Sequence, residues 1–218
     1  MSRPEPLTEA VRQESDDRKI NLAVQKLQDQ GYAFIPDFLS PELTSSLRDE
    51  AARLHEQGHL KPAGIGRGGA NHLPQNERRD STLWWEEQDK TSARSEVYQK
   101  WSALREACNR ALYLGLWDFE AHWAVYPPGG FYKRHLDRFR DDDARTLSAV
   151  LYLNPPDWRP EDGGELRIWA GLDPEAKILQ FLPSGGALAL FLSDRIPHEV
   201  CVTHRTRYSI AAWFRRRT

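Results

Sequence analysis

Apolar positions recur every three to four residues in the first half of the chain and every two in the second. Ile20, Val24 and Leu27 share one helical face between Arg18 and Gln30, and Gly31 stops it. Leu43, Leu47, Ala51 and Leu54 repeat the pattern after Ser40-Pro41, a capping hydroxyl followed by proline at the first helical position, up to a stop near Gly58. Val97, Trp101, Leu104, Cys108 and Leu112 predict a third helix over 95–114. A first strand is predicted from Tyr32 to Phe38. From Phe119 onward alternation predicts strands at 119–126, 130–137, 146–154, 165–170, 186–193, 198–203 and 207–214, separated by Pro-Pro, Gly-Gly and Asp-rich breaks. Helices first and a run of short strands afterwards predict a mainly β fold: a double-stranded β-helix, or jelly roll, buttressed by N-terminal α-helices. Residues 1–17 read as a flexible lead-in, 18–118 as helical support holding a long Gly-rich loop at 61–80, and 119–218 as the β core of one domain.

Composition narrows the class. A hydrophobic fraction of 39% with eight tryptophans supplies a core, which excludes global disorder. A formal charge of −2 gives no electrostatic case for nucleic acid or an anionic membrane as the main partner. The basic run 215–217 reads as a solvated end. The two cysteines, Cys108 and Cys201, have no metal-type spacing and suggest no disulfide framework. No apolar leader or stretch of membrane-spanning length is legible, so the expectation is a reduced, cytoplasmic protein. The sequence does not speak to its oligomeric state.

The chemistry sits in the second half. His135 and Asp137 lie two apart in a predicted strand, so both side chains leave the same face. His198, from a distant strand, completes two imidazoles and one carboxylate, a set that leaves the opposite coordination positions open, as in non-haem Fe(II) oxygenases. Nine residues later, Arg207 is placed to hold the far carboxylate of a dicarboxylate cosubstrate through paired hydrogen bonds. Alternation puts Thr146, Ser148, Val150 and Tyr152 on one face, and Leu147, Ala149, Leu151 and Leu153 on the other. If Arg207 faces the barrel interior, so do Ser209, Ala211 and Trp213. A guanidinium there requires an anion, because an unpaired buried charge is very costly.

Several segments together carry a resemblance. They are Tyr126-Pro127, the run Tyr132 to Asp137, Tyr152-Leu153-Asn154, Gly163 to Ile168, Ser193 to Val200, and Arg207 to Ile210. In this order and spacing the chain resembles the 2-oxoglutarate- and Fe(II)-dependent oxygenases of the prolyl 4-hydroxylase superfamily, including the hypoxia-inducible-factor prolyl hydroxylases and their bacterial relatives. A weaker match reaches Arg78-Arg79-Asp80 and Trp84. The resemblance implies Fe(II) on His135, Asp137 and His198, and 2-oxoglutarate bound by Arg207 and Tyr152 with Tyr126 as a further contact. It also implies a pocket lined by Ser209, Val150, Leu166, Val200 and Trp213. Arg78, Asp80, Tyr132 and Arg134 would face the substrate, and the 61–80 loop would enclose it. The implied reaction consumes O2, releases succinate and CO2, and uses ascorbate as reductant. Its implied target is a prolyl residue in a protein, with a translation component as one possibility. The same ligand set serves a free amino acid or metabolite, and a non-catalytic jelly-roll binding module is the remaining alternative.

Two strings are decoys. His55 to His59 has the zinc-protease spacing, but Gly58 falls where the helix stops, so the histidines do not share a face. Gly64 to Gly69 satisfies a dinucleotide fingerprint without the strand before it or the helix after it. Asp141 to Asp143 reads as an exposed acidic turn, and His72, His122 and His204 have no partner at ligand spacing.

Overall fold

The computed structural model describes residues 9–64, 76–86, 91–138, 144–173 and 175–217. The lead-in at 1–8, the loop segment 65–75 (with most of the glycine string and His72) and the acidic run 141–143 lie outside the described residues.

Three helices precede the β core: α1 (Glu9–Gln30), α2 (Pro41–Glu56) and α3 (Ser92–Leu112). Ser40 caps α2 by accepting from the Leu43 N–H, and Thr91 caps α3 by accepting from the Arg94 N–H. Interleaved with them and following them are β1 (Tyr32–Ile35), β2 (Lys61–Pro62), β3 (Ser81–Trp84), β4 (Leu116–Tyr126), β5 (Tyr132–His135), β6 (Arg145–Tyr152), β7 (Leu166–Trp169), β8 (Ile178–Phe181), β9 (Leu188–Leu192), β10 (His198–Val200) and β11 (Arg207–Arg216). One seven-stranded sheet runs β1-β9-β6-β11-β4-β3-β2, and a four-stranded sheet runs β5-β10-β7-β8. All pairings are antiparallel. This is the double-stranded β-helix the alternation predicts.

The large sheet has two different faces. Leu147, Ala149, Leu151, Leu190, Ile210 and Phe214 pack against Leu27, Leu47, Val97, Trp101 and Leu104 of the helices in one buried cluster. The opposite face carries Ser148, Val150, Arg207, Ser209 and Trp213 and looks into the space between the sheets, which they line. The alternation read from 146–153 and 207–213 is therefore the division between core and site.

Four expectations are corrected. The helix begins at Glu9, so residues 9–17 are not a flexible lead-in; Lys100 of α3 pairs with Asp16, and Gln13 bonds to Asp17. The span 61–80 is not structureless throughout: Lys61–Pro62 pairs with Ser81–Trp84, and Arg78 bridges to Tyr132. Strand β8 was not predicted; its pattern of exposed and half-buried residues on an outer edge gives weak alternation. The predicted strand 130–137 ends at His135, leaving Asp137 in the bend that follows. The protease decoy is dismissed by structure as well: α2 ends at Glu56, Gly58 is left-handed, and His59 lies beyond the helix. No described helix is long and apolar enough to cross a membrane.

The helical layer holds one buried ion pair. Arg94 donates to Glu50 from Nε at 2.9 Å and Nη2 at 2.6 Å, with both side chains buried between α2 and α3. Removing one partner strands the other charge, so Arg94→Ala is expected to lower stability by about 3–5 kcal/mol. Pairing Arg94→Met with Glu50→Leu should recover most of that loss, as read by urea unfolding of the two variants.

Candidate active site

His135 ends β5 and His198 begins β10, and the antiparallel register places them directly opposite each other. Their ring centroids lie 4.2 Å apart. Asp137, in the bend after β5, reaches both: Oδ1 is 3.5 Å from His135 Nε2, and Oδ2 is 3.5 Å from His198 Nε2. One ligand atom from each of the three lies within 4.8 Å of the others. Each ring has its other nitrogen committed: His135 Nδ1 lies 2.7 Å from Lys133 O, and His198 Nδ1 lies 3.1 Å from Ile196 O. A carbonyl oxygen only accepts, so Nδ1 carries the proton and Nε2 keeps its lone pair for a metal.

Asp137 is positioned in turn. Ser148 of β6 donates to Oδ2 at 2.7 Å, and Ser193 lies 2.8 Å from Ser148. Burial alone would raise the Asp137 carboxyl. The adjoining His198 and His135 side chains and the Ser148 hydrogen bond outweigh burial and hold it well below the usual carboxylate range. Burial pulls His198 down to about 4, which keeps its imidazole neutral.

The same cavity, about 300 Å³, reaches Arg207 on β11. Arg207 is 1% exposed; Nε donates to Gly164 O at 2.9 Å and Nη1 to Ser209 Oγ at 3.1 Å. Its guanidinium lies 4.9 Å from the Tyr126 ring centroid and 5.2 Å from that of Tyr152. Among the described residues no carboxylate pairs with it. The Tyr152 hydroxyl beside it is buried without a hydrogen-bond partner, and burial pushes that phenol up to about 12 against the pull of Arg207. Val150, Leu166, Val200, Ser209, Tyr126 and Trp213 line the cavity as expected, while Tyr152 is enclosed behind it.

The four substrate-side residues separate. Arg78 lines the cavity, held by Asp80 through paired bonds of 2.8 and 2.6 Å, and lies 4.2 Å above the Tyr132 ring. Tyr132 stacks on His135 with centroids 3.6 Å apart. Asp80 is buried behind Arg78 and does not line the cavity, so the structure gives it a positioning contact. Arg134 stacks on Trp169 at 4.2 Å and also lies outside the cavity lining. Sequence reasoning missed Ser148 and Ser193 as supports of Asp137, although alternation placed Ser148 on the right face. It also left His122 without a role, yet that ring lines the cavity between Trp84 and Trp213.

A profile of the 2OG-Fe(II) oxygenase superfamily matches residues 121–215. A prolyl-4-hydroxylase of Pseudomonas putida is 40% identical, with a TM-score of 0.81, covering 91% of this chain and 100% of that one. The chain belongs to the 2-oxoglutarate- and Fe(II)-dependent oxygenases of the prolyl 4-hydroxylase superfamily. A prolyl hydroxylase solved with a hypoxia-inducible-factor peptide fragment, from Trichoplax adhaerens, is 26% identical with a TM-score of 0.83, covering 95% of this chain and 94% of that one. Human Egl nine homolog 1 is 30% identical over 190 residues; the match takes in 84% of this chain but only 43% of that protein's length.

The residues present fit the groups this family uses. Two imidazoles and a carboxylate on one side of a cavity are the donor set for non-haem Fe(II) with open positions. A guanidinium with no carboxylate partner among the described residues, beside the Tyr152 hydroxyl, offers donors that suit the distal carboxylate of 2-oxoglutarate. Because Ser148 fixes the Asp137 carboxylate, Ser148→Ala is expected to weaken Fe(II) binding about 10–100-fold with the fold intact. Metal titration in a competing chelator reads this directly.

Proposed function

We propose that the chain hydroxylates a prolyl residue of a protein substrate, using Fe(II), 2-oxoglutarate and O2. The observation that carries this reading is the presence of two receptors in one cavity, the His135–Asp137–His198 set and the unpaired Arg207. When bound there, iron and cosubstrate supply the oxidising chemistry, with succinate and CO2 as coproducts and one oxygen atom passing to the substrate.

The chain's own residues bind, orient and exclude water. His135, Asp137 and His198 hold the metal from one side and leave the cavity side free. Arg207 and Tyr152 hold the cosubstrate's far carboxylate, with Ser209 and Tyr126 beside them. Val150, Leu166, Val200 and Trp213 form dry walls around the reacting atoms. Arg78, kept in place by Asp80, and Tyr132 meet the substrate. Arg134 meets only a part of the substrate that lies outside the cavity. Ascorbate is the reductant that keeps the iron ferrous, and a reducing cytoplasmic setting suits both the iron and the free thiols of Cys108 and Cys201. The similarity to proteins described as prolyl hydroxylases supports a prolyl target in a protein.

The test is mass spectrometry of a cell extract incubated with the protein, Fe(II), ascorbate, 2-oxoglutarate and heavy-isotope O2. Heavy oxygen is expected on a proline of a protein, with the signal falling at least about 100-fold for His135→Ala, more than loss of a supporting contact alone would cause. Label on a metabolite and on no protein would replace the protein substrate with a small molecule. Absence of succinate formation would remove the enzymatic reading altogether.

A further inference from the structure

One buried titratable group in the cavity has no part in binding iron or 2-oxoglutarate. His122 lies on β4, opposite Trp84 of β3 on one side and Ala211 of β11 on the other, and Ala211 pairs with Val150 of β6. Adjacent strands are about 4.8 Å apart, which sets His122 about 10 Å across the sheet from Val150. Arg207 is four residues from Ala211 along β11, about 13 Å at the rise of an extended strand. His122 therefore flanks the centre of the cavity from the side where Trp84, half exposed, meets solvent.

The niche has aromatic walls and an open floor. Trp84 meets the His122 ring edge-on with centroids 4.9 Å apart, and Trp213 lies 5.2 Å away on its other side. Ala124 and Ala211, both lining the cavity, leave the space before the ring unfilled. His122 Nδ1 is 2.9 Å from Trp123 O, so this nitrogen carries the proton. Nε2 is left as a bare acceptor, with no partner among the described residues. Burial, with Arg78 and Arg145 nearby, lowers the ring to about 4, so it stays neutral at working pH and cannot become a donor.

We propose that this niche is a substrate subsite in which His122 accepts a hydrogen bond from an uncharged amide N–H of the peptide, beside the residue to be hydroxylated. The proposal rests on the protein-hydroxylase reading above and sharpens it. An ammonium would also offer donors and would suit aromatic walls. However, Arg78 and Arg145, which line the same cavity, already hold its nearby carboxylates, Asp80 and Glu120, and Arg145 lies 3.9 Å over the Trp213 ring. A cationic nitrogen would have to compete with two guanidinium groups for those carboxylates and that ring face, whereas an uncharged N–H needs only the His122 acceptor.

Three probes separate the alternatives: N-acetyl-L-proline methylamide, which has one amide N–H, the dimethylamide, which has none, and free L-proline. Binding to the Fe(II)- and 2-oxoglutarate-loaded protein without oxygen is read by tryptophan fluorescence, since Trp84 and Trp213 wall the niche. The methylamide is expected to bind about tenfold more tightly than the dimethylamide, the size of one hydrogen bond to an otherwise unpaired acceptor. His122→Leu should erase that preference, and His122→Gln, whose side-chain oxygen accepts, should keep part of it. Equal binding of the two amides by the wild-type protein, or a preference that survives His122→Leu, overturns the subsite while leaving the protein-hydroxylase reading in place. Tighter binding of free L-proline than of the methylamide overturns both, as does failure of all three probes to bind.

Discussion

A guanidinium enclosed in the cavity wall, with no carboxylate paired to it among the described residues, is the constraint that organises this protein. An uncompensated buried guanidinium costs several kcal/mol. Gly164 O, Ser209 Oγ and the faces of Tyr126 and Tyr152 share its field but do not neutralise it. The close packing leaves no slack. A Cβ on Gly164 would come within 2.9 Å of Arg207 Cδ, at a backbone φ of +73° that favours glycine in any case. The cavity therefore offers an anion receptor at one end and, at the other, two imidazole nitrogens and a carboxylate that could hold a metal. A ligand that satisfies both ends at once is a 2-oxo acid with a second carboxylate.

The two-sheet architecture delivers both ends from few elements. The antiparallel pairing of β5 with β10 sets His135 against His198, and β6 supplies Ser148 beneath Asp137. Strand β11 spans the same cavity, with Arg207 and Trp213 on one face six residues apart. The helical layer covers the opposite face of the large sheet, so the residues between those positions, Ile210 and Ala212 among them, are core. Each strand thus works as a two-sided ruler. On β11 the odd-numbered positions face the cavity and the even-numbered ones the core, and on β6 the two are exchanged.

That ruler is why so much was legible in the sequence. Alternation along 146–153 and 207–213 separates core from cavity without further information, and the helix stripes through Leu47 and Trp101 name the residues that cover the sheet. What stayed illegible has physical causes. Asp137 joins His135 and His198 from a bend after β5, so strand alternation does not account for its approach. Ser193 supports Asp137 only through Ser148, 45 residues earlier in the chain, and no local spacing signals such a contact. The first turns of α1 bury no apolar residue among those described before Ile20, so no stripe marks them in the sequence, and Asp16 there pairs with Lys100 of α3. Asp80 and Arg134 carry charges that a motif places near substrate, but one is turned onto Arg78 and the other onto Trp169. His122 has no ligand spacing, and the signal that could have found it is alternation, since it lies four residues from Tyr126 on β4 and shares its cavity face.

The most direct test of this account compares 2-oxoglutarate with pyruvate, which keeps the chelating 2-oxo acid but lacks the second carboxylate. Binding of each to the Fe(II)-loaded protein without oxygen can be followed by the visible charge-transfer absorption that such chelation produces. If Arg207 completes the site, 2-oxoglutarate binds on the order of 100-fold more tightly than pyruvate, the scale of a buried charge-assisted pair. Arg207→Met then brings the two affinities together while the absorption band persists. Equal affinities in the wild-type protein, or a gap that survives the substitution, would contradict the role of Arg207 and with it the two-ended cavity.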